Sequence, residues 1–364
     1  MRGTGTAIDP FIIEDVFDLQ NIENDLTAFY ELESDIDASV TVGWNGGAGF
    51  MPIALASFFS GSLDGKGYSI INLYMNYNLG VNISMIDENR GSILNLGLVN
   101  ITYLGIDPVG FHFSGGGFVR TNYGTIRNCF ITGYLDGHDV GGICQTNWPL
   151  FGLPALISKC FSTCRIVASD QGGGICYSNG GTVERSYSTG QVSGDLASGL
   201  VGINSGIIQD CYSRSRVIGI SNGGGLVQWN DLIIRRSYST GAVSAAAVGG
   251  LVQGAGGASI VEDCFWDIET SGQAASAGGT GQTTAQMKSR STFTAAGWNL
   301  NSIWFLATRY NNGYPCFQGV PTYPYIPLGG AQIPIPGPNP PPGSSPIPTP
   351  YSPLVATLAP TGVT

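Results

Sequence analysis

Charge is what this sequence has least of. Only 11% of its 364 residues are Asp, Glu, Lys or Arg, and Lys and Arg together number 15. With 43% hydrophobic residues beside so little charge, the chain is too apolar to be disordered and too poor in charge for an ordinary helical enzyme. The net charge is −10, without a basic run or a basic-aromatic cluster. No nucleic-acid partner is expected. Ten of the 25 acidic residues precede Val40, which discourages that end from sticking to anionic surfaces. No stretch of about 18 apolar residues exists, so no membrane insertion is expected. Met1-Arg2-Gly3 runs straight into domain-like sequence, without the apolar region of a secretory leader. The expectation is a leader already removed, or a destination reached without export, as for a virion protein assembled in the cytosol.

Histidine is nearly absent too, with only His112 and His138, and no Cys-x-x-Cys pair occurs. No metal and no cofactor are therefore expected. Phosphate-cradling and dinucleotide fingerprints are missing as well.

What the chain has is glycine, 55 residues of it. Without a Gly-X-Y period, that points to many tight turns. The turns are regular. Met85, Phe118, Ile143, Ile175, Leu200, Leu226 and Leu251 are apolar anchors spaced 33, 25, 32, 25, 26 and 25 apart. The unit is thus about 25 residues with occasional insertions. Four residues past the anchors stand Asn89, Asn122, Asn147, Asn179, Asn204 and Asn230, and then Ala255. Further on come Leu96, Cys129, Cys160, Ser186, Cys211, Ser237 and Cys264, often followed by an aromatic: Phe130, Phe161, Tyr187, Tyr212, Tyr238, Phe265.

Short apolar runs bounded by Gly, Asn, Asp and Ser read as strands. One such coil cannot bury its own apolar face, so coils must stack, at about 4.8 Å. The predicted fold is all-β, a right-handed parallel β-solenoid. Stacking turns the asparagines into a ladder at a corner, where Asn tolerates left-handed backbone and amides bond one another. The Gly-Gly pairs before the anchors (Gly141-Gly142, Gly173-Gly174, Gly224-Gly225, Gly249-Gly250) are expected to supply turns with positive φ. The Cys or Ser position suits a tight inward site. Cys129 and Cys160 share a position in adjacent coils, as do Cys144 and Cys176, within disulfide range. Because Ser or Val stands there in other coils, buried free thiols are expected.

Gly249-Gly250-Leu251-Val252 and Ser198-Gly199-Leu200-Val201-Gly202 resemble the GLUG motif of large bacterial, archaeal and phage surface proteins. Phe59-Ser60-Gly61-Ser62-Leu63-Asp64-Gly65 resembles the family's entry segment, and Phe265-Trp266-Asp267 with Asn312-Gly313-Tyr314-Pro315 its closing segment. The resemblance covers roughly residues 3–318. It implies a scaffold for adhesins and fibres.

The ends differ from the repeat. Residues 15–26 carry Val16, Leu19, Ile22 and Leu26 at helical spacing behind Asp15, an N-cap type. An N-terminal cap over residues 1–45 is expected, with coils over 46–270 and a C-terminal cap over 271–319 that includes a short helix near residues 283–289. Residues 320–353 hold most of the prolines, as a polyproline-II linker would. Residues 354–364 resemble the first strand of a fibronectin-III-like or Ig-like domain.

Candidate chemistry is sparse. Glycosidases on such folds need paired acids. Asp136, His138 and Asp139 are the best local cluster, although Asp136-Gly137-His138-Asp139 is expected to be an ordinary solvated turn rather than a catalytic pair. Asp170, Asp195 and Asp231 are expected in separate loops. Trp148 and Phe151 lie in the insertion Trp148-Pro149-Leu150-Phe151-Gly152-Leu153-Pro154, either as a binding surface or as cover for a local gap. The leading expectation is a non-catalytic structural or adhesive component of a virion or extracellular fibre. Its partners would be further copies of itself, other fibre proteins, or a host-surface glycan or protein. The alternatives are a secreted cell-surface adhesin domain and a polysaccharide-cleaving spike.

Overall fold

A computed structural model describes residues 1–76, 82–105 and 114–318. His112, the proline-rich segment and the residues resembling a further domain lie outside the described residues. The described residues belong to one compact unit.

The apolar runs form parallel strands that stack coil upon coil. One face is a sheet of ten strands, from Phe11–Ile13 to Ile260–Glu262, and a second has seven, from Ile86–Asn89 to Val252–Ala255. The third is a succession of short paired segments such as Phe130–Gly137 and Gln191–Ser198. Register is kept residue for residue: Ile93, Ile126, Ile157, Val183, Ile208, Ile234 and Val261 lie one above another. The fold is a parallel β-solenoid, as the repeat requires. All but the last of that column are fully buried, because each coil supplies the cover that its neighbour lacks.

The coils begin earlier than residue 46. Phe11–Ile13 pairs in parallel with Phe29–Leu32, which pairs with Ser62–Asp64. Residues 1–45 are therefore the first coils, not a separate cap. The repeat spacing misses them because residues 39–61 replace regular strands with irregular backbone, while still burying Phe50, Ile53 and Phe59. The expected helix is present as Val16–Gln20 followed by a 3-10 turn, with the Asp15 carboxylate accepting from the Phe17 and Asp18 amides. Val16, Leu19 and Ile22 point into the core. Arg2 bridges Ile12 in antiparallel fashion, covering an edge that would otherwise recruit strands from other chains.

The asparagine column is a continuous amide ladder. Asn89 donates to Asn122, Asn122 to Asn147, Asn147 to Asn179, Asn179 to Asn204 and Asn204 to Asn230, at 2.7–2.8 Å throughout. All six are fully buried. None has positive φ, however. Left-handed backbone falls on a different column, Asn95, Asn128, Lys159, Arg185, Asp210, Arg236 and Asp263, the residue before each Leu, Cys or Ser.

The glycine pairs also have another cause than the expected one. None of the eight lies in the left-handed region. A Cβ on Gly142 would stand 2.1 Å from the Gly174 carbonyl oxygen, and one on Gly225 2.0 Å from that of Gly250. The coils approach so closely here that only hydrogen fits.

The alternation of Cys with Ser has a hydrogen-bonding reason. Each side chain donates to the carbonyl two residues earlier: Cys129 to Arg127 (3.3 Å), Cys211 to Gln209 (3.3 Å), Ser186 to Glu184 (2.8 Å) and Ser237 to Arg235 (2.9 Å). Those carbonyls precede the left-handed residue and already accept a backbone N–H from the preceding coil, as Gln209 does from Arg185 at 3.2 Å, so the side chain is a second donor on the remaining lone pair. Cys211→Ser should therefore leave the thermal midpoint nearly unchanged. Cys211→Val removes one of the two donors to the Gln209 carbonyl, which keeps the Arg185 N–H, and should cost ~0.5–1.5 kcal/mol. Equal losses in denaturant titrations of the two variants would show that the site asks only for size. All eight cysteines are buried and free. Burial pushes the Cys164 thiol up to about 12.

The C-terminal segment does two jobs where one cap was expected. Residues 271–282 close the end: Ala277 N–H donates to the Val252 carbonyl, and Thr280–Gln282 pairs with Phe265–Asp267. Residues 283–318 run instead along the flank. There Phe130, Phe161, Tyr187, Tyr212 and Tyr238 stack at 4.6–5.1 Å with rings within 9° of parallel. Met287, Phe293, Trp298, Trp304 and Phe317 cover that stack. Trp304 Nε1–H donates to Asp210 and Trp298 Nε1–H to the Asp263 carbonyl. The expected short helix is Thr284–Met287, with a full capping box from Thr283 and Gln286.

Candidate functional site

The corner joining Phe130–Gly137 to Val140–Gly141 carries His138 and Asp139. Directly above it, in the next coil, lies the corner joining Arg165–Ala168 to Gln171–Gly173. Ser169 N–H donates to the Gly137 carbonyl at 2.8 Å and Asp170 N–H to that of His138 at 3.2 Å. Leu196 N–H then donates to the Asp170 carbonyl at 2.9 Å. Asp170 thus shares one corner with His138, and Asp195, on the strand Gln191–Ser198, follows in the next coil, where separate loops were expected. Insertions upstream of Asp170 hide this in the numbering, and only the strand register restores it.

The side chains converge. His138, Asp139 and Asp170 each offer one ligand atom, all within 4.8 Å of one another. His138 Nδ1 and Asp139 Oδ1 stand 3.2 Å apart. Asp139 Oδ1 is buried and has no well-aligned donor, His138 Nδ1 being its neighbour. Burial, more than any neighbour, raises the Asp139 carboxyl above its ordinary range; His138 pulls it down and Asp170 pushes it up. Tyr177 flanks the group from the next sheet and is raised by burial and by Asp139.

Asp136 does not join them. It stands on the strand before the corner, where the Tyr134 hydroxyl donates to its Oδ2 at 2.8 Å. The carboxylates brought together are Asp139 and Asp170. Asp231 belongs to a different corner and accepts from Trp229 Nε1–H at 2.8 Å. Asp195 accepts from the Ser221 hydroxyl at 2.6 Å. That serine sits in Gly219-Ile220-Ser221-Asn222-Gly223, which has the spacing of a nucleophile elbow. It lies inside the strand Arg216–Gly224, not at the sharp strand-to-helix turn that such chemistry uses.

The insertion splits its two aromatics. Trp148 lays its ring against Gly180 of the following coil, where a Cβ would come within 2.4 Å of it, and remains 45% exposed. Phe151 is fully exposed at the tip of a tight turn closed by Leu150 and Leu153. Covering a local gap describes half of Trp148 and none of Phe151. Cavities of about 710 and 480 Å³ lie elsewhere, one between Cys264 and Thr292 and the other between Gln20 and Trp44. Among the described residues no helix is long and apolar enough to cross a membrane.

No family model matches the chain. Halomucin of Haloquadratum walsbyi is 38% identical over 160 residues, covering 40% of this chain and 2% of halomucin. A protein of Evansella cellulosilytica, named as a Gly-rich membrane protein, is 34% identical over 131 residues, covering 34% of this chain and 12% of its own. The chain thus spans a small part of the curated relatives it matches. Among solved structures, it is similar to a Bacteroides ovatus protein named for immunoglobulin A1 protease activity, with a TM-score of 0.59. That likeness covers 87% of this chain and 94% of the other at 20% identity. It is a likeness of fold.

Proposed function

We propose that this chain is one stretch of a longer cell-surface protein, a stiff scaffold that presents exposed groups for adhesion and performs no reaction itself. The observation that carries this reading is the ladder construction. Coil after coil repeats the same buried asparagine, the same Cys or Ser donor and the same stacked ring. Such a stack resists bending, since the inner coils pair with both neighbours along three faces. Sequence variety is left to the corners, where Phe151 and Trp148 are displayed.

The names of the relatives, a mucin and a membrane protein, support a cell envelope more than a virion. The GLUG resemblance of Gly249-Gly250-Leu251-Val252 is consistent with that. A glycan or protein of another surface is the partner that exposed aromatic side chains suit. Peptide mass spectrometry across a density gradient of the source material tests the placement. Peptides of this chain are expected with the cell envelope. Their travelling with DNA-containing particles would replace the reading with a virion fibre.

A further inference from the structure

We propose that the corner formed by His138, Asp139 and Asp170 binds a divalent transition-metal ion, and that its donor set suits zinc. Three observations carry this. The first is donor chemistry. One imidazole and two carboxylates, with water completing the shell, is a ligand set that zinc takes readily, whereas calcium and magnesium favour all-oxygen sites.

The second is the contact between His138 Nδ1 and Asp139 Oδ1. These atoms are 3.2 Å apart, and the oxygen is buried without a well-aligned donor. In the tautomer that carries its proton on Nε2, these are two lone-pair atoms, and so placed they repel unless something positive lies beside both. A tetrahedral zinc ion with bonds of ~2.0 Å sets its ligand atoms about 3.3 Å apart. The spacing of this pair fits the edge of such a tetrahedron.

The third is how the group is held. His138 and Asp139 come from one coil and Asp170 from the next, and the backbone of both corners is tied at Gly137, His138 and Asp170. Gly115 N–H donates to the Asp139 carbonyl from below at 3.0 Å. A ladder therefore fixes where the donors stand, and small side-chain movements close the 4.8 Å spread. The His138 side chain is 43% exposed, which leaves a way in for the ion and room for water.

The sequence argued against a metal because histidine is scarce and no ligand spacing is visible. Asp170 is 32 residues from His138, and only stacking makes them neighbours. The full chain, free of any histidine tag and stripped with a chelator, should be titrated with zinc chloride by calorimetry near pH 7.5. One zinc per chain is expected. Affinity should fall at least tenfold in His138→Ala and in Asp170→Asn, and stay unchanged in Asp195→Asn, one coil further on. Cobalt chloride should give weak visible bands without the thiolate charge-transfer absorption that the buried cysteines would produce. The proposal is overturned if the chain shows no saturable zinc binding, if both variants bind as the parent does, or if calcium binds in preference and survives His138→Ala. Equal melting temperatures of the metal-free proteins confirm intact folds. Should Asp170→Asn fail to fold, His138→Ala, altering an exposed side chain, still decides the matter.

Discussion

Asn179→Ala is expected to destabilise the chain by about 3 kcal/mol. Asn179 donates to Asn204 at 2.8 Å and more weakly to the Gly181 and Ile207 carbonyls, and it accepts from Asn147 at 2.8 Å. It is fully buried in the middle of the ladder, so no water replaces what is lost. Asn147 and Asn204 keep weaker bonds to backbone, which is why the loss stays below the full cost of two orphaned groups. Asn179→Asp should be worse near neutral pH, because a buried carboxylate would face carbonyl oxygens it cannot bond. Its folded-state pKa would be raised above the unfolded value of ~3.9. The protonated form, which can donate to Asn204, is then favoured by folding. Stability should be recovered below about pH 4 and lost as pH rises through the folded pKa. Urea titrations of both variants at pH 4 and pH 7 check this. An alanine variant within 0.5 kcal/mol of the parent would mean that the ladder is only a by-product of stacking.

Tyr212→Ala should cost ~3–5 kcal/mol, the range for deleting a large buried ring. The ring is sandwiched between Tyr187 at 4.6 Å and Tyr238 at 5.1 Å, with Phe317 and Trp304 against its edge. The loss should concentrate on the flank. Residues 283–318 are held there mainly by side chains, by Trp304 and Phe317 on the stack and by Asn311 bonded to Arg214 and Tyr238. Limited proteolysis should cleave this segment in the variant before the coils open, with a red shift of tryptophan emission. Simultaneous loss of coils and flank would show instead that they unfold as one unit.

Much of this was legible in the residues. The coil length, the asparagine ladder and the inward Cys or Ser position follow from side chains recurring at one spacing, because stacking turns equal spacing into direct contact. Asp15 as helix cap and the helix after Thr283 were legible from local rules alone. The first coils escaped because residues 39–61 break the period. The glycines were visible, but their reason was not. Positive φ is a property of one residue, whereas the 2.0 Å at which a Cβ on Gly225 would meet the Gly250 carbonyl oxygen is a property of two coils.

The candidate site divides in the same way. Its histidine and one of its aspartates are adjacent in the chain and could be read together. Asp170 could not, since an insertion shifts its number while the strand pairing of Leu135 with Ile166 and of Val140 with Gly172 keeps it in place. The aromatic after each Cys or Ser was plain in the repeat, and what covers it was not, because Trp304 and Phe317 come from a segment with no repeat of its own. Sequence by itself determined that this chain must stack upon itself, since a coil of about 25 residues has no core alone. Tertiary structure alone decided which corners meet, which face is covered and which carboxylates become neighbours. Those depend on register between coils, and register is set by the packing of all the coils together.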